Sequence, residues 1–232
     1  MPGWWLALPQ RQFLPASHLL PHFYAYRAPY LTPGPPHSYV TADSLRPAHL
    51  RLTLQVDFAS RTLAGAAIWW LAGSALAAPA ELVLDTRDLT IEGVMLGDAP
   101  AGPAAAYTLG PAPDPVLGSA LRIAVPAGTV AVREAYRTQP GAAALQWLAL
   151  AQTAGQHPFL FTQSQTILAR TWVPCPDSPG IRFSYEAEVE ITGAERGQLL
   201  ALMSATDNHH TTPPTGATAF GSPSRCRPTC WH

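Results

Sequence analysis

From His49 onward the chain alternates, with Leu50, Leu52, Leu54, Val56 and Phe58 apolar and Arg51, Thr53, Gln55 and Asp57 polar between them. A period of two held over this many positions predicts a strand with one buried and one wet face. After the turn Ala59-Ser60-Arg61, the run over 62–71 predicts its hairpin partner, with Gly65 expected to mark a bulge. Shorter apolar runs predict strands over 81–85, 88–96, 120–125, 129–136, 159–165, 182–191 and 199–205. Short strands separated by Pro, Gly and Asp turns describe an all-β, sandwich-like domain. Helix is expected only over Ala142 to Leu150 and, weakly, around Ser17 to Tyr26.

The pattern fades at both ends. Eight prolines fall within residues 1–36 with no period of 2 or 3.6, which predicts an irregular, disordered extension. From Asp207 the apolar period is lost again. The expected division is an extension over 1–36, a β-domain over 37–207 and an irregular tail over 208–232.

Composition narrows the classes of function. Only 12% of the 232 residues are charged and the formal net charge is -1, which argues against nucleic acid or an anionic membrane surface as partner. The longest apolar stretch, 64–78, is broken by two glycines and a serine and stops at Pro79, short of the roughly 18 to 20 residues a membrane span needs. The amino terminus lacks the basic and apolar regions of a secretory signal. Three cysteines, two of them in the last seven residues, make no disulfide framework, so a reducing, cytoplasmic setting is expected.

Candidate chemistry gathers between Gln146 and Ser184. Side chains two apart on a strand share a face, so Gln163 and Gln165 are expected to present two neutral amides together. Cys175 reads as a small buried hydrophobe, Asp177 as a turn former, and Arg170 as the partner that pins Asp177. Trp69, Trp70, Trp147 and Trp172 read as core or interface aromatics, and the neighbours Trp69 and Trp70 face opposite ways and cannot form one sugar platform. His49 and His157 show no evident carboxylate or second ligand. Cys226, Cys230 and His232, with His209 and His210 upstream, fall within loose zinc spacing, but no strand or helix is expected to hold them.

The ordered series H-S-Y-V (37–40), H-L-R-L-T-L-Q-V-D-F (49–58), L-V-L-D-T-R-D-L-T-I-E-G-V (82–94), L-Q-W-L (145–148), the run from Gln152 to Val189 and A-L-M-S-A (201–205) resembles the amino-terminal domain of the M1 family of zinc aminopeptidases, in its leukotriene A4 hydrolase and aminopeptidase B-like branch. The resemblance implies a saddle-shaped β-domain that closes one wall of a thermolysin-like active site. It further implies that Gln163 and Gln165, with Thr166 just beyond, line the cleft near the amine and first carbonyl of a bound peptide. Zinc belongs to the intact family enzyme. Its usual bearer is H-E-x-x-H, and no His-Glu dipeptide occurs here, nor does the G-x-M-E-N segment.

The expectation is therefore a fragment that binds no zinc, lacks peptidase activity and has its catalytic domain or another protein as partner. The alternative is a non-catalytic β-sandwich interaction module. Read one frame over, codons for Pro223 to His232 are compatible with Q-P-V-P-A-Y-L-L-A, a segment the family carries after its M-S-A strand. This points to a frameshift between Asn208 and Pro214. Sequencing the genomic DNA beyond the His232 codon is expected to reveal H-E-x-x-H in the shifted frame within a few hundred bases; its absence there would overturn the frameshift.

Overall fold

A computed structural model describes residues 37–41, 43–73, 75–110, 114–205, 207–209 and 217–226; the extension expected over 1–36 lies outside them. Twelve strands follow one another among these residues: β1 (Pro47–Asp57), β2 (Thr62–Leu71), β3 (Ala80–Thr86), β4 (Leu89–Leu96), β5 (Tyr107–Leu109), β6 (Ser119–Val125), β7 (Ala131–Thr138), β8 (Leu145–Leu148), β9 (Phe159–Thr162), β10 (Phe183–Ile191), β11 (Asp207–His209) and β12 (Ala217–Cys226). They form a seven-stranded sheet in the order β11-β12-β10-β1-β2-β7-β4, a three-stranded sheet β3-β6-β5 and the hairpin β8-β9. The fold is all-β with mixed sheets: β1 runs parallel to β10 and antiparallel to β2.

The alternation in β1 does what its period requires. Leu50 and Leu52 are wholly buried, Leu54 and Val56 nearly so, while Arg51, Thr53 and Gln55 face solvent. Opposite them Trp69, Ala67 and Leu63 continue the same inner face across β2. Leu82, Leu84, Leu121 and Ile123 from β3 and β6 enter the same core. Each such side chain contributes about 1.5–3 kcal/mol through burial. Trp69 packs edge-on against Phe183, ring centroids 4.7 Å apart, and its indole N–H donates to the Pro174 carbonyl at 3.1 Å.

Gly65 marks no bulge; the β1–β2 register runs evenly past Leu54↔Gly65. Its role is close approach, since a Cβ there would stand 1.9 Å from the Thr53 carbonyl oxygen. The register shifts lie instead between Pro47 and His49 in β1, between Ile91 and Gly93 in β4 and between Phe183 and Tyr185 in β10. Residues 142–149 are not helical, and Leu150 only opens a short 3-10 turn, Leu150–Gln152. Leu145–Leu148 pairs antiparallel with Phe159–Thr162, and that ladder overrides the helix preference of the alanines before it.

Over 199–205 the alternation is present without a strand. Leu199, Ala201 and Met203 pack inward and Leu200 and Leu202 are 62% and 68% exposed, yet no ladder joins this segment to a described strand. Alternation records which side is buried and cannot supply a neighbouring edge. The reverse holds for the tail, where β12 pairs with β10 and β11 with β12 although the sequence there has no apolar period. Ladder bonds are made by backbone groups, so an open edge on β10 can be covered by a segment of any pattern.

Arg170 is the centre of the polar interior. Its side chain is 0% exposed and its Nε donates to Asp177 Oδ2 at 3.1 Å, its other nitrogens to the carbonyls of Leu117, His37 and Asp177 at 2.9, 2.7 and 3.1 Å. Asp85, also fully buried, lies 3.7 Å from the same guanidinium and accepts from Ser38 Oγ at 2.6 Å and from the amides of Tyr39 and Asp177 at 2.8 and 2.9 Å. Gly118 adjoins this network with φ +74 and receives the Tyr39 hydroxyl on its carbonyl; a Cβ there would come 2.1 Å from the Thr86 oxygen. The pairing of Arg170 with Asp177 is thus as expected, and the network extends it to β3, the loop before β6 and residues 37–39. Removing one partner of a buried pair strands the other charge, so Asp177→Ala is expected to cost about 3–5 kcal/mol and lower Tm by on the order of 10 °C in thermal unfolding followed by circular dichroism. A loss below about 1 kcal/mol would show that the pair is not the structural centre described here.

Candidate functional site

The ladder of β9 ends at Thr162, but its alternation does not. Phe159 and Phe161 point outward, 51% and 42% exposed, Gln163 is half-buried, Ser164 fully buried and Gln165 exposed. Two exposed aromatic rings on β9 are thus followed along the chain by the two glutamines. Beside it lies an apolar cavity of about 310 Å³ whose lining includes Val56, Leu63, Phe161, Trp172, Ile191 and Met203.

The two glutamines do not share a regular strand face, because Gln165 and Thr166 already belong to a turn. The Gln163 amide N–H donates to the Ala144 carbonyl at 2.9 Å, which holds the chain to the hairpin for one more residue. The Gln163 side-chain oxygen then accepts the backbone N–H of Gln165 at 3.0 Å. This local bond turns the backbone, as such side chain to main chain bonds do. It occupies the Gln163 oxygen and leaves the amide nitrogen of the half-buried Gln163, and both side-chain polar atoms of the exposed Gln165, without a hydrogen bond among the described residues. Thr166 is exposed at the tip, and Ile167 follows at φ +86, a left-handed conformation that costs a β-branched residue about 1–3 kcal/mol.

What holds the tip lies behind it. Ser164 accepts the Trp172 indole N–H on its Oγ at 3.1 Å and the Leu168 amide on its carbonyl at 2.9 Å. Thr171 accepts the Ala144 amide at 3.1 Å and donates to the Leu168 carbonyl at 2.7 Å. Arg170 and Asp177 anchor the descending limb. Cys175 is buried, as expected, and exchanges backbone hydrogen bonds with Asp85 at 2.8 and 3.2 Å. Burial pushes its thiol well above the usual range, with Asp177 and Asp85 adding to the effect, so it is a packing residue and no nucleophile. Burial also raises the Asp177 carboxyl, against the pull of Arg170.

The outer face of the large sheet holds contacts that sequence reasoning missed. His49 Nδ1 is 2.8 Å from Ser184 Oγ and Nε2 is 3.6 Å from Glu186, which also binds Arg51. The Arg51 guanidinium lies 5.0 Å from the centre of the Trp70 ring, and His49 stands 5.6 Å from it. Both residues at His49 come from β10, and only the parallel pairing His49↔Ser184 brings them there. Trp69 and Trp70 do face opposite sides. Among the described residues no three His, Cys, Asp or Glu stand close enough to hold a metal, and no helix is long and apolar enough to cross a membrane. His210, Cys230 and His232, and the side chains of His209 and Cys226, lie outside what is described.

No family model matches the chain. Over 176 residues it is 36% identical to leukotriene A-4 hydrolase of Xenopus laevis, covering 73% of this chain and 27% of that protein. It is 34% identical over 182 residues to leucine aminopeptidase 2 of Yarrowia lipolytica, covering 75% and 26%. The chain spans about a quarter of the length of these relatives. Among solved structures, native yeast LTA4 hydrolase is similar with a TM-score of 0.72 over 94% of this chain and 32% of that one, at 24% identity. An M1 zinc metallopeptidase from Deinococcus radiodurans gives 0.58 over 81% and 41%, at 15% identity.

If the loop is braced from behind, Trp172→Phe, which strips the buried Ser164 hydroxyl of its donor, should cost about 1 kcal/mol and quicken amide exchange at Gln165 and Leu168. Gln163→Ala touches only a local bond and should stay within about 0.5 kcal/mol in denaturant unfolding. Equal exchange rates in Trp172→Phe and the unmodified chain would remove the brace.

Proposed function

Because the chain belongs with the amino-terminal domains of the M1 zinc metallopeptidases, we propose that it forms one wall of a peptide-binding cleft, with Gln163, Gln165 and Thr166 turned toward the amino end of the bound peptide. The observation that carries this reading is the braced tip itself. The Gln165 amide and the Thr166 hydroxyl stand exposed, with the Gln163 side chain half-buried beside them, on a loop fixed by buried hydrogen bonds; the Gln165 amide can accept from an ammonium and donate to a carbonyl at once, while Gln163, its oxygen already bonded, has its N–H groups to offer.

The chemistry of peptide hydrolysis is assigned elsewhere. No His-Glu dipeptide occurs in the 232 residues and the described side chains gather no metal ligands, so they do not fit a zinc site and no catalytic step is derived from them. On this reading the zinc and its base come from a catalytic portion, and the chain alone is catalytically silent. The exposed Phe159, Phe161, Leu200 and Leu202 support such a partner, since apolar side chains clustered around one cavity are what an interdomain contact would cover. We place the start of the domain at residue 37, because His37, Ser38 and Tyr39 are already bonded to Arg170 and Asp85, and count β11 and β12, beyond the boundary expected at 207, with its large sheet. The free, buried Cys175 thiol suits a reducing, cytoplasmic setting.

Two measurements test this. The purified chain with zinc and fluorogenic aminoacyl substrates should show no turnover above blank. Joined to the remainder of leucine aminopeptidase 2 from Yarrowia lipolytica, it should support aminopeptidase activity, and replacing both glutamines by alanine should lower kcat/KM at least about tenfold, the worth of a lost hydrogen bond or two to a charged group. A folded chimera that cleaves equally well without the two amides would refute their assignment.

A further inference from the structure

Among the described residues Glu134 sits in the core with no hydrogen-bond partner for its carboxyl. It stands on β7, on the face that carries Val132 and Tyr136, opposite Ala67 of β2 and Val94 of β4. It is 0% exposed, and neither of its carboxyl oxygens has a hydrogen-bond partner among the described residues. The Tyr136 hydroxyl, two residues along on the same face, is equally buried and equally unpartnered.

The charges nearby offer it no relief. Along β7 its titratable neighbours are Tyr136 and, on the opposite face, Arg133. The adjoining strands present Ala67 and Val94, and β3 and β6 turn leucines and an isoleucine into the same core. Cys175 acts on Tyr136 from across the interior, itself pushed toward the thiol form by burial, and beyond it Asp85, Asp177 and Arg170 are bonded to one another. An ionised carboxylate in such a place has lost its water and gained no donor, whereas a protonated one is a neutral group close to glutamine in size. Burial accordingly pushes the Glu134 carboxyl well above the glutamate range, opposed only by its own backbone amide and by Arg133.

We propose that Glu134 is a proton latch: the strands close over it while its carboxyl carries a proton, and loss of that proton to solvent loosens the domain. The sign follows from the two states. A carboxyl whose folded value lies above its unfolded one contributes its full stability below the ordinary glutamate range and loses it as pH climbs toward the raised value. Asp177, raised by burial, acts in the same sense. Asp57, held low by Ser60, and Asp114, held low by the amides of Leu117 and Val116, act in the opposite sense from the surface. Comparing Glu134 with its neutral isostere cancels all three.

The full chain and its Glu134→Gln variant are melted from about pH 5 to about pH 9, a span that starts near the ordinary glutamate value. The unmodified chain should lose several degrees of Tm toward the alkaline end, and the variant, a mimic of the protonated form, should lose less and melt higher there. Parallel profiles would overturn the latch. Infrared spectroscopy of the unmodified chain reads the same state without relying on the variant to fold. A carbonyl band of a protonated, buried carboxyl should persist at neutral pH, and its absence would equally overturn the proposal.

Discussion

A guanidinium cannot shed its charge, so burying one obliges the fold to surround it. Arg170 is buried completely, and what surrounds it comes from four places far apart in the sequence: Asp177 from its own loop, Asp85 at the end of β3, the Leu117 carbonyl before β6, and the His37 carbonyl at the start of the described chain. None of these can move without leaving a donor or an acceptor empty in a dry interior. The β3–β6–β5 sheet, the long loop after β9 and the entry segment are therefore fixed to one another by one side chain. The apolar core supplies most of the favourable free energy, but apolar contacts are tolerant of sliding. The directional bonds of Arg170 are what select one arrangement.

That selection bears on the loop tip. Gln165 and Thr166 are exposed and Ile167 is held in a left-handed conformation, features that in a free loop would favour many shapes. Here the ascending limb is tied to the hairpin through Gln163 and Ala144, the middle through Ser164 and Trp172, and the descending limb through Arg170. The entropy of ordering the tip is met during folding, so a ligand meeting the amides meets them already placed.

How much of this could be read from the residues depends on what each inference needed. Period two in β1 identified its buried face because that signal is local and strong. The pairing of Arg170 with Asp177 was legible too, being seven residues apart in a loop dense in proline. Glu134 had a visible signal that went unused: in the run Val132-Arg133-Glu134-Ala135-Tyr136 it shares parity with Val132 and Tyr136, so an acid was being placed inward. The strand expected through Gln165 stops at Thr162 and the shared face goes with it, because the turn that follows is closed by the Gln163 amide itself. His49 was read as lacking a carboxylate because Ser184 and Glu186 reach it only through a parallel pairing that no local pattern announces.

That parallel pairing also fixes an order of events at the ribosome. His49 and Ser184 are neighbours in the sheet yet 135 residues apart along the chain. The hairpin β1–β2 can form as soon as it emerges, but it waits with one long edge open until β10 has been made, and β12 then closes the edge that β10 leaves. Contacts of such long range are formed late and slowly. During synthesis the inner face of β1, four leucine and valine side chains deep, stays open to water and to other nascent chains until the last third of the sequence arrives.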